Sequence, residues 1–260
     1  MVHFVGAGPG APDLITVRGL RLLEAADVII YAGSLVNPEL LKSKKEGCQV
    51  YDSAKMTLEE ITDVMIRAEA EGKMTVRLQT GDPSLYGAIH EQMEVLQKQG
   101  IAFDSTPGVS SFCGAAASLN LEYTLPGISQ SVVITRMAGR TPVPERESIA
   151  SFAAHGATMV LFLSAGKCGQ LAEELIRGGY PADTPCAIVY KATWQDEKKA
   201  VCTLETLKET AEANGISKTA LILVGNAVNP QQYEKSKLYD AAFTTEYREA
   251  AAAAKEKAKE

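Results

Sequence analysis

The chain has 260 residues, 46% of them hydrophobic and 22% charged, with a formal net charge of −6. That is the composition of a globular protein with one or two real cores. The acidic balance argues against a nucleic-acid partner, which needs a basic face. The five cysteines Cys48, Cys113, Cys168, Cys186 and Cys202 are scattered and form no Cys-x-x-Cys pair, so reduced thiols in a cytoplasmic protein are expected. His3, His90 and His155 are equally dispersed, and no protein-held metal is expected. The start Met1-Val-His-Phe-Val-Gly6 carries no basic and apolar leader, and no apolar run is long enough to cross a bilayer.

In chain order, Val2–Val5 reads as a strand running into Gly6-Ala-Gly-Pro-Gly-Ala11, with a helix from Asp13 through Ala26. Asp27–Tyr31 is a second, buried strand. Asn37-Pro38 opens a short helix, and Cys48–Tyr51 is a third strand. Thr57-Leu-Glu-Glu60 is a capping box whose helix stops at Gly72. Strand Met74–Gln79, helix Ala88–Gln99, strand Ile101–Thr106 and helix Phe112–Leu119 follow. Strands alternating with helices predict a mostly parallel sheet covered on both faces.

Residues 120–130 break the alternation at Pro126-Gly127. The second half restarts with strands Ser131–Thr135 and Thr158–Leu163, helix Cys168–Arg177 and strand Pro185–Tyr190. An edge strand Ala200–Thr203, helix Leu204–Asn214 and strand Thr219–Val224 complete it. Its hairpin-like and crossover connections predict a mixed sheet. The expected division is an α/β lobe over 1–120, a linker over 121–130, a second α/β lobe over 131–232, and a polar helical or disordered tail over 233–260.

The stretch Leu78-Gln-Thr-Gly-Asp-Pro-Ser-Leu-Tyr-Gly87 leaves a strand at the edge where α/β sheets bind ligands. Gly81-Asp82-Pro83 alone fits a turn capped by Asp82 as well as it fits a ligand loop. Gly6–Ala11 formally matches a dinucleotide fingerprint. Pro9 and Pro12 remove amide donors, and Tyr31-Ala32-Gly33-Ser34 lacks the acidic residue a ribose needs. A nicotinamide or flavin dinucleotide is therefore not expected.

Taken together, Val5-Gly-Ala-Gly-Pro-Gly10, Thr80-Gly-Asp-Pro-Ser-Leu-Tyr-Gly87, Pro107-Gly-Val-Ser-Ser111 and Thr135-Arg-Met137 resemble the tetrapyrrole methylase family over roughly residues 2–230. Tyr31-Ala-Gly-Ser-Leu-Val36 and Thr135–Pro144 most resemble its branch acting on precorrin-4 at C11, with or without cobalt. The resemblance implies two lobes with S-adenosylmethionine in the cleft between them, S-adenosylhomocysteine as product, an anionic tetrapyrrole substrate and a homodimer. By position it implies a cofactor site of Pro9, Thr80, Gly81, Asp82, Leu85, Tyr86, Ser110, Ser111, Met137, Leu163 and Ala192. It turns the glycine-rich loop, with Gly8 and Gly10, and Ser34 toward the tetrapyrrole. Uroporphyrinogen methylases of the family carry an Asp where this chain has Ala32, which argues against that substrate.

Methyl transfer from a sulfonium needs chiefly proximity and alignment, in keeping with a chain that has no evident triad. Tyr31, Asp52 and Asp82 are unranked candidates for a weak base. Arg18, Lys55, Arg136, Arg140, Lys167 and Lys191 fall in or near loops, and Arg136 and Arg140 are the preferred receivers of substrate carboxylates. Two other readings stay open: methylation of RNA or protein by the same fold, and a carrier that binds the precursor without turnover.

Overall fold

The computed structural model describes residues 1–250, so the Ala/Lys/Glu-rich stretch 251–260 of the expected tail lies outside the described residues. The first sheet contains β1 (Val2–Gly6), β2 (Val28–Tyr31), β3 (Gln49–Asp52), β4 (Thr75–Gln79) and β5 (Phe103–Thr106) in the order β3-β2-β4-β1-β5. Every pairing in it is parallel, so the expectation of a mostly parallel sheet is met without an antiparallel member. The period-2 alternation of side chains divides each strand between two cores. Val2, Phe4, Val28 and Ile30 face α2 (Leu58–Ala70) and α3 (His90–Lys98), where Ile61, Val64, Met65 and Leu96 are buried. Val5, Ile29, Val76 and Leu78 face Leu23 of α1 (Val17–Ala25).

The capping box forms: the Thr57 side chain accepts from the Glu60 amide, and the Glu60 carboxylate accepts from the Thr57 amide. The first helix begins later than Asp13. Pro12–Leu14 is a single 3-10 turn, and the Thr16 hydroxyl, accepting from the Gly19 amide at 3.1 Å, starts α1 at Val17. A hydroxyl cap next to the first helical residue prevails over an acidic residue three positions earlier.

The second sheet contains β6 (Val132–Arg136), β7 (Thr158–Phe162), β8 (Pro185–Tyr190), β9 (Lys198–Thr203) and β10 (Ala220–Val224) in the order β6-β7-β10-β8-β9. It is mixed: β6 and β7 are parallel, whereas β10 runs antiparallel to both β7 and β8, and β8 antiparallel to β9. The last strand among the described residues is therefore inserted into the middle of its sheet. One face packs on α5 (Ile149–Ala153), α6 (Cys168–Arg177) and α7 (Leu207–Ala213) through Ile149, Leu171, Leu175 and Leu207. The other face buries α4 (Ser111–Leu119), with Ala115 set among Val160, Ala187, Val189, Leu221 and Leu223. No helix among the described residues is long and apolar enough to cross a membrane.

Candidate functional site

A cleft of about 540 Å³ opens between the two sheets, within the size range of small-molecule sites. Its first-sheet wall is built from loops at the carboxyl ends of parallel strands, where glycine permits close approach. A Cβ on Gly6 would lie 2.5 Å from Gly108 Cα and 2.6 Å from Gly81 O. Gly81 N donates to Gly8 O at 2.9 Å, and Gly8 N returns the bond to Gly81 O at 3.3 Å. The glycines of the first loop thus interlock three loops, which accounts for a fingerprint-like spacing without any phosphate. Asp82 ties the same loops together: Oδ1 accepts from Ser84 N and Oδ2 from Gly108 N, each at 2.9 Å. Burial raises the cost of ionising this carboxyl, but the bonds from Ser84 and Gly108 outweigh it, and its pKa falls below the ordinary value.

The opposite wall comes from the second sheet. Leu163, Ala165, Gly166 and Lys167 follow β7; Lys191, Ala192 and Trp194 follow β8; and Ser217, Lys218 and Thr219 precede β10. Trp194 leans on the first lobe, its Nε1 donating to Pro9 O at 3.1 Å, while Ala11 N donates to Thr193 Oγ1 at 2.9 Å. The Tyr86 ring crosses the cleft to meet the Phe162 ring with centroids 5.3 Å apart. Tyr86, Leu163, Lys191 and Thr219 all line the cleft with φ of 56°, 53°, 48° and 55°, and Thr193 beside them has φ of 71°. Left-handed backbone at non-glycine residues costs on the order of 1–3 kcal/mol each, and it persists where the surroundings over-determine it. Its concentration here marks the cleft as the functional region.

Of the residues expected to hold a cofactor, Pro9, Thr80, Gly81, Asp82, Leu85, Tyr86, Ser110, Ser111, Leu163 and Ala192 line this one cleft. Met137 does not. It is buried in the second core, where its N–H donates to Ser164 Oγ at 3.0 Å. Ser110 and Ser111 sit where α4 begins, and no side chain caps that helix end, so its first amides are open to a polar ligand group.

The residues expected on the substrate side lie outside the lining. Gly8 is spent on the pairing with Gly81, and Gly10 packs under Trp194, where a Cβ would fall 2.1 Å from Cδ1. Ser34 and Arg140 are exposed. Arg136 braces its own loop, donating to the carbonyls of Met137, Thr141 and Pro142 at 3.1–3.2 Å. Among the base candidates, only Asp82 borders the cleft. Asp52 caps a turn by accepting from Ala54 N, and the Tyr31 carbonyl accepts from Ser53 Oγ. The cations in the lining are Lys167, Lys191 and Lys218. Lys167 donates to Ala138 O at 2.9 Å, and Lys191 pairs with Asp196 at 2.6 Å while lying over the Trp194 ring.

Gln79 and Leu35, which fall within the stretches Leu78–Gly87 and Tyr31–Val36, line the cleft, and so do Phe162, Val189 and the run Ser217–Leu221, which no motif marks. Ser217–Thr219 has no ligand-loop signature because it precedes its strand rather than following one. β10 is antiparallel to its neighbours, so its beginning shares their carboxyl edge. Among the described residues no group of three or more His, Cys, Asp or Glu is gathered that could hold a metal.

Comparison with known proteins gives one consistent result. Residues 1–208 match the Tetrapyrrole (Corrin/Porphyrin) Methylases. The chain is 53% identical over 247 residues to a cobalt-precorrin-4 C(11)-methyltransferase of Methanocaldococcus jannaschii, covering 95% of each chain. An X-ray structure of a cobalt precorrin-4 methyltransferase superposes with a TM-score of 0.86 at 47% identity, covering 88% of this chain and 96% of that one. The uroporphyrin-III C-methyltransferase of Thermus thermophilus, solved with S-adenosylhomocysteine, gives 0.74 at 28% identity and covers 87% and 98%. With its two sheets, its cleft and these matches, the chain belongs to the tetrapyrrole methylase family.

Proposed function

We propose that the chain transfers the methyl group of S-adenosylmethionine to C11 of cobalt-precorrin-4, a step in cobalamin biosynthesis. The observation that carries this reading is the 53% identity to the Methanocaldococcus jannaschii enzyme, extending over 95% of both chains. The cleft suits the cofactor: it combines apolar walls of Leu85, Leu163, Val189 and Leu221 with the open start of α4 at Ser110 and Ser111. Pro9, Thr80, Gly81, Asp82, Leu85, Tyr86, Ser110, Ser111, Leu163 and Ala192 would hold it. Once bound, it supplies an electrophilic methyl group on a sulfonium. The protein's contribution is alignment of that methyl with a ring carbon at about 3–3.5 Å and exclusion of water by Tyr86 and Phe162. Cobalt belongs to the substrate.

The finer reading assigns the substrate trough to residues 1–120 and the remainder of the cofactor site to 131–232. The 121–130 segment serves as linker and the polar segment after 232 as a tail. It places the enzyme in the cytoplasm as a homodimer with no nucleic-acid or membrane partner. Arg136, close enough to the cleft to act on Tyr86, and the exposed Arg140 are assigned to receive substrate carboxylates, which requires Arg136 to exchange its loop carbonyls for them. The test is an anaerobic single-turnover incubation with S-adenosylmethionine, offering cobalt-precorrin-4 and uroporphyrinogen III separately and following mass. One methyl gained only on the cobalt-precorrin is expected; a gain on uroporphyrinogen III, or on neither, refutes the substrate.

A further inference from the structure

The segment after β8 fastens the two lobes, and its key carboxylate lies outside the cleft. Glu197 Oε2 accepts from Thr193 N at 2.6 Å, and Oε1 accepts from Ser118 Oγ on α4. Thr193 is a β-branched residue with φ of 71°, a conformation such residues avoid unless something imposes it. The imposed geometry carries two links to the glycine-rich loop: Ala11 N to Thr193 Oγ1 at 2.9 Å and Trp194 Nε1 to Pro9 O at 3.1 Å. Lys199 adds a bond from Nζ to Ser118 O. Asp196 is unavailable for this task, being paired with Lys191.

We infer that Glu197 is a positioning residue for cofactor binding: by accepting the Thr193 amide it sets the Lys191–Trp194 wall of the cleft against Pro9 and Gly10. This rests on the reading of the cleft as the S-adenosylmethionine site. Glu197 touches neither the cleft nor a reacting atom, so its removal acts on affinity. The KM for S-adenosylmethionine rises while kcat at saturation is retained. Loss of a hydrogen bond to a charged acceptor corresponds to about tenfold or more in affinity.

The chain contains a single tryptophan, and it is Trp194 on the clasp itself, so its fluorescence reports the clasp directly. The experiment titrates S-adenosylhomocysteine into the full-length wild type, Glu197→Leu and Glu197→Gln by calorimetry and by Trp194 emission. Glu197→Leu is expected to bind about tenfold or more weakly, with shifted emission in the unliganded protein. Glu197→Gln stays within about threefold, because its amide oxygen still accepts from Thr193 and its amide nitrogen can donate to Ser118. If Glu197→Leu does not fold, Ser118→Ala takes its place, with weaker binding and shifted emission expected. Wild-type affinity and emission in Glu197→Leu, or in Ser118→Ala where that variant replaces it, overturn the inference alone. Failure of the wild type to bind S-adenosylhomocysteine overturns the cofactor reading and the inference with it.

Discussion

Replacing Gly6 by alanine puts one methyl group where three loops of the cleft meet. Gly6 does not have a positive φ, so the backbone accepts alanine and the effect is purely one of space. The new Cβ would lie 2.5 Å from Gly108 Cα and 2.6 Å from both Gly108 N and Gly81 O. All three are main-chain atoms, and each separation is about 1 Å short of ordinary contact. No rotamer change relieves it, so the loops must part. Overpacking typically costs about 1–3 kcal/mol, and a main-chain clash belongs at the upper end. For a chain of this size about 3 kcal/mol lowers Tm by about 6–12 °C. Parting the loops also stretches the bond from Gly108 N to Asp82, so affinity for S-adenosylhomocysteine should fall along with stability. The comparison is Gly47→Ala, where φ is +77° and nothing lies within 4 Å. It should pay a left-handed penalty of about 1–2 kcal/mol and keep full affinity. Thermal denaturation and calorimetry check both variants. Gly6→Ala with wild-type Tm and affinity would refute the interlocking of the loops.

Three further outcomes are expected. Tyr86→Ala removes the ring that meets Phe162 across the cleft. An aromatic pair contributes about 0.5–1.5 kcal/mol, so S-adenosylhomocysteine should bind about 2- to 10-fold more weakly by calorimetry, with Tyr86→Phe close to wild type. Asp82 has a depressed carboxyl pKa in the folded state, so its stabilising contribution is fully present above its unfolded value and is lost as pH falls through the folded one. Denaturant midpoints of wild type and Asp82→Asn should therefore converge toward acid pH and differ most near neutrality. Cys186 and Cys202 sit directly opposite on β8 and β9 with their sulfurs 3.3 Å apart, and the bond to Cys186 lowers the pKa of the Cys202 thiol. Mild peroxide should join them, removing two hydrogen atoms as water forms. Non-reducing peptide mapping would detect the cross-link, and the unjoined pair after treatment would count against it.

Local chemistry was legible where a residue's partner lies within a few positions. Thr57 and Glu60 announce their own helix start, and Cys168–Arg177 and Pro185–Tyr190 have the bounds their patterns suggest. The first-sheet loops of the cleft were legible as ligand loops because each follows a parallel strand, and the resemblance supplied the residues of the second wall. What stayed hidden depends on pairing at a distance. That Trp194 rests on Gly10, that β10 enters between β7 and β8, and that Arg136 closes its own loop are contacts with no signature in neighbouring residues. The resemblance puts Met137 at the cofactor, whereas its side chain is buried in the second core, a placement with no local signature. Lys167 and Lys191 were named beside Arg136 with nothing local to separate them, and only the folded cleft does so.

The placement of α4 sets a schedule for the chain's birth. The helix is translated with the first lobe, but its apolar face is buried against the second sheet, chiefly β7, β8 and β10. Its buried partners Leu221 and Leu223, with Val228 after them, leave the ribosome about a hundred residues after Leu119, a delay of about 5–20 s at ordinary elongation rates. Throughout that interval Phe112, Ala115 and Leu119 have no completed sheet to cover them. The second sheet cannot close earlier, because its central strand is its last. A cut at the 121–130 segment would therefore strand this helix on one fragment and its binding face on the other. Each half would emerge with an uncovered apolar surface, and the two would be expected to be soluble only when made together.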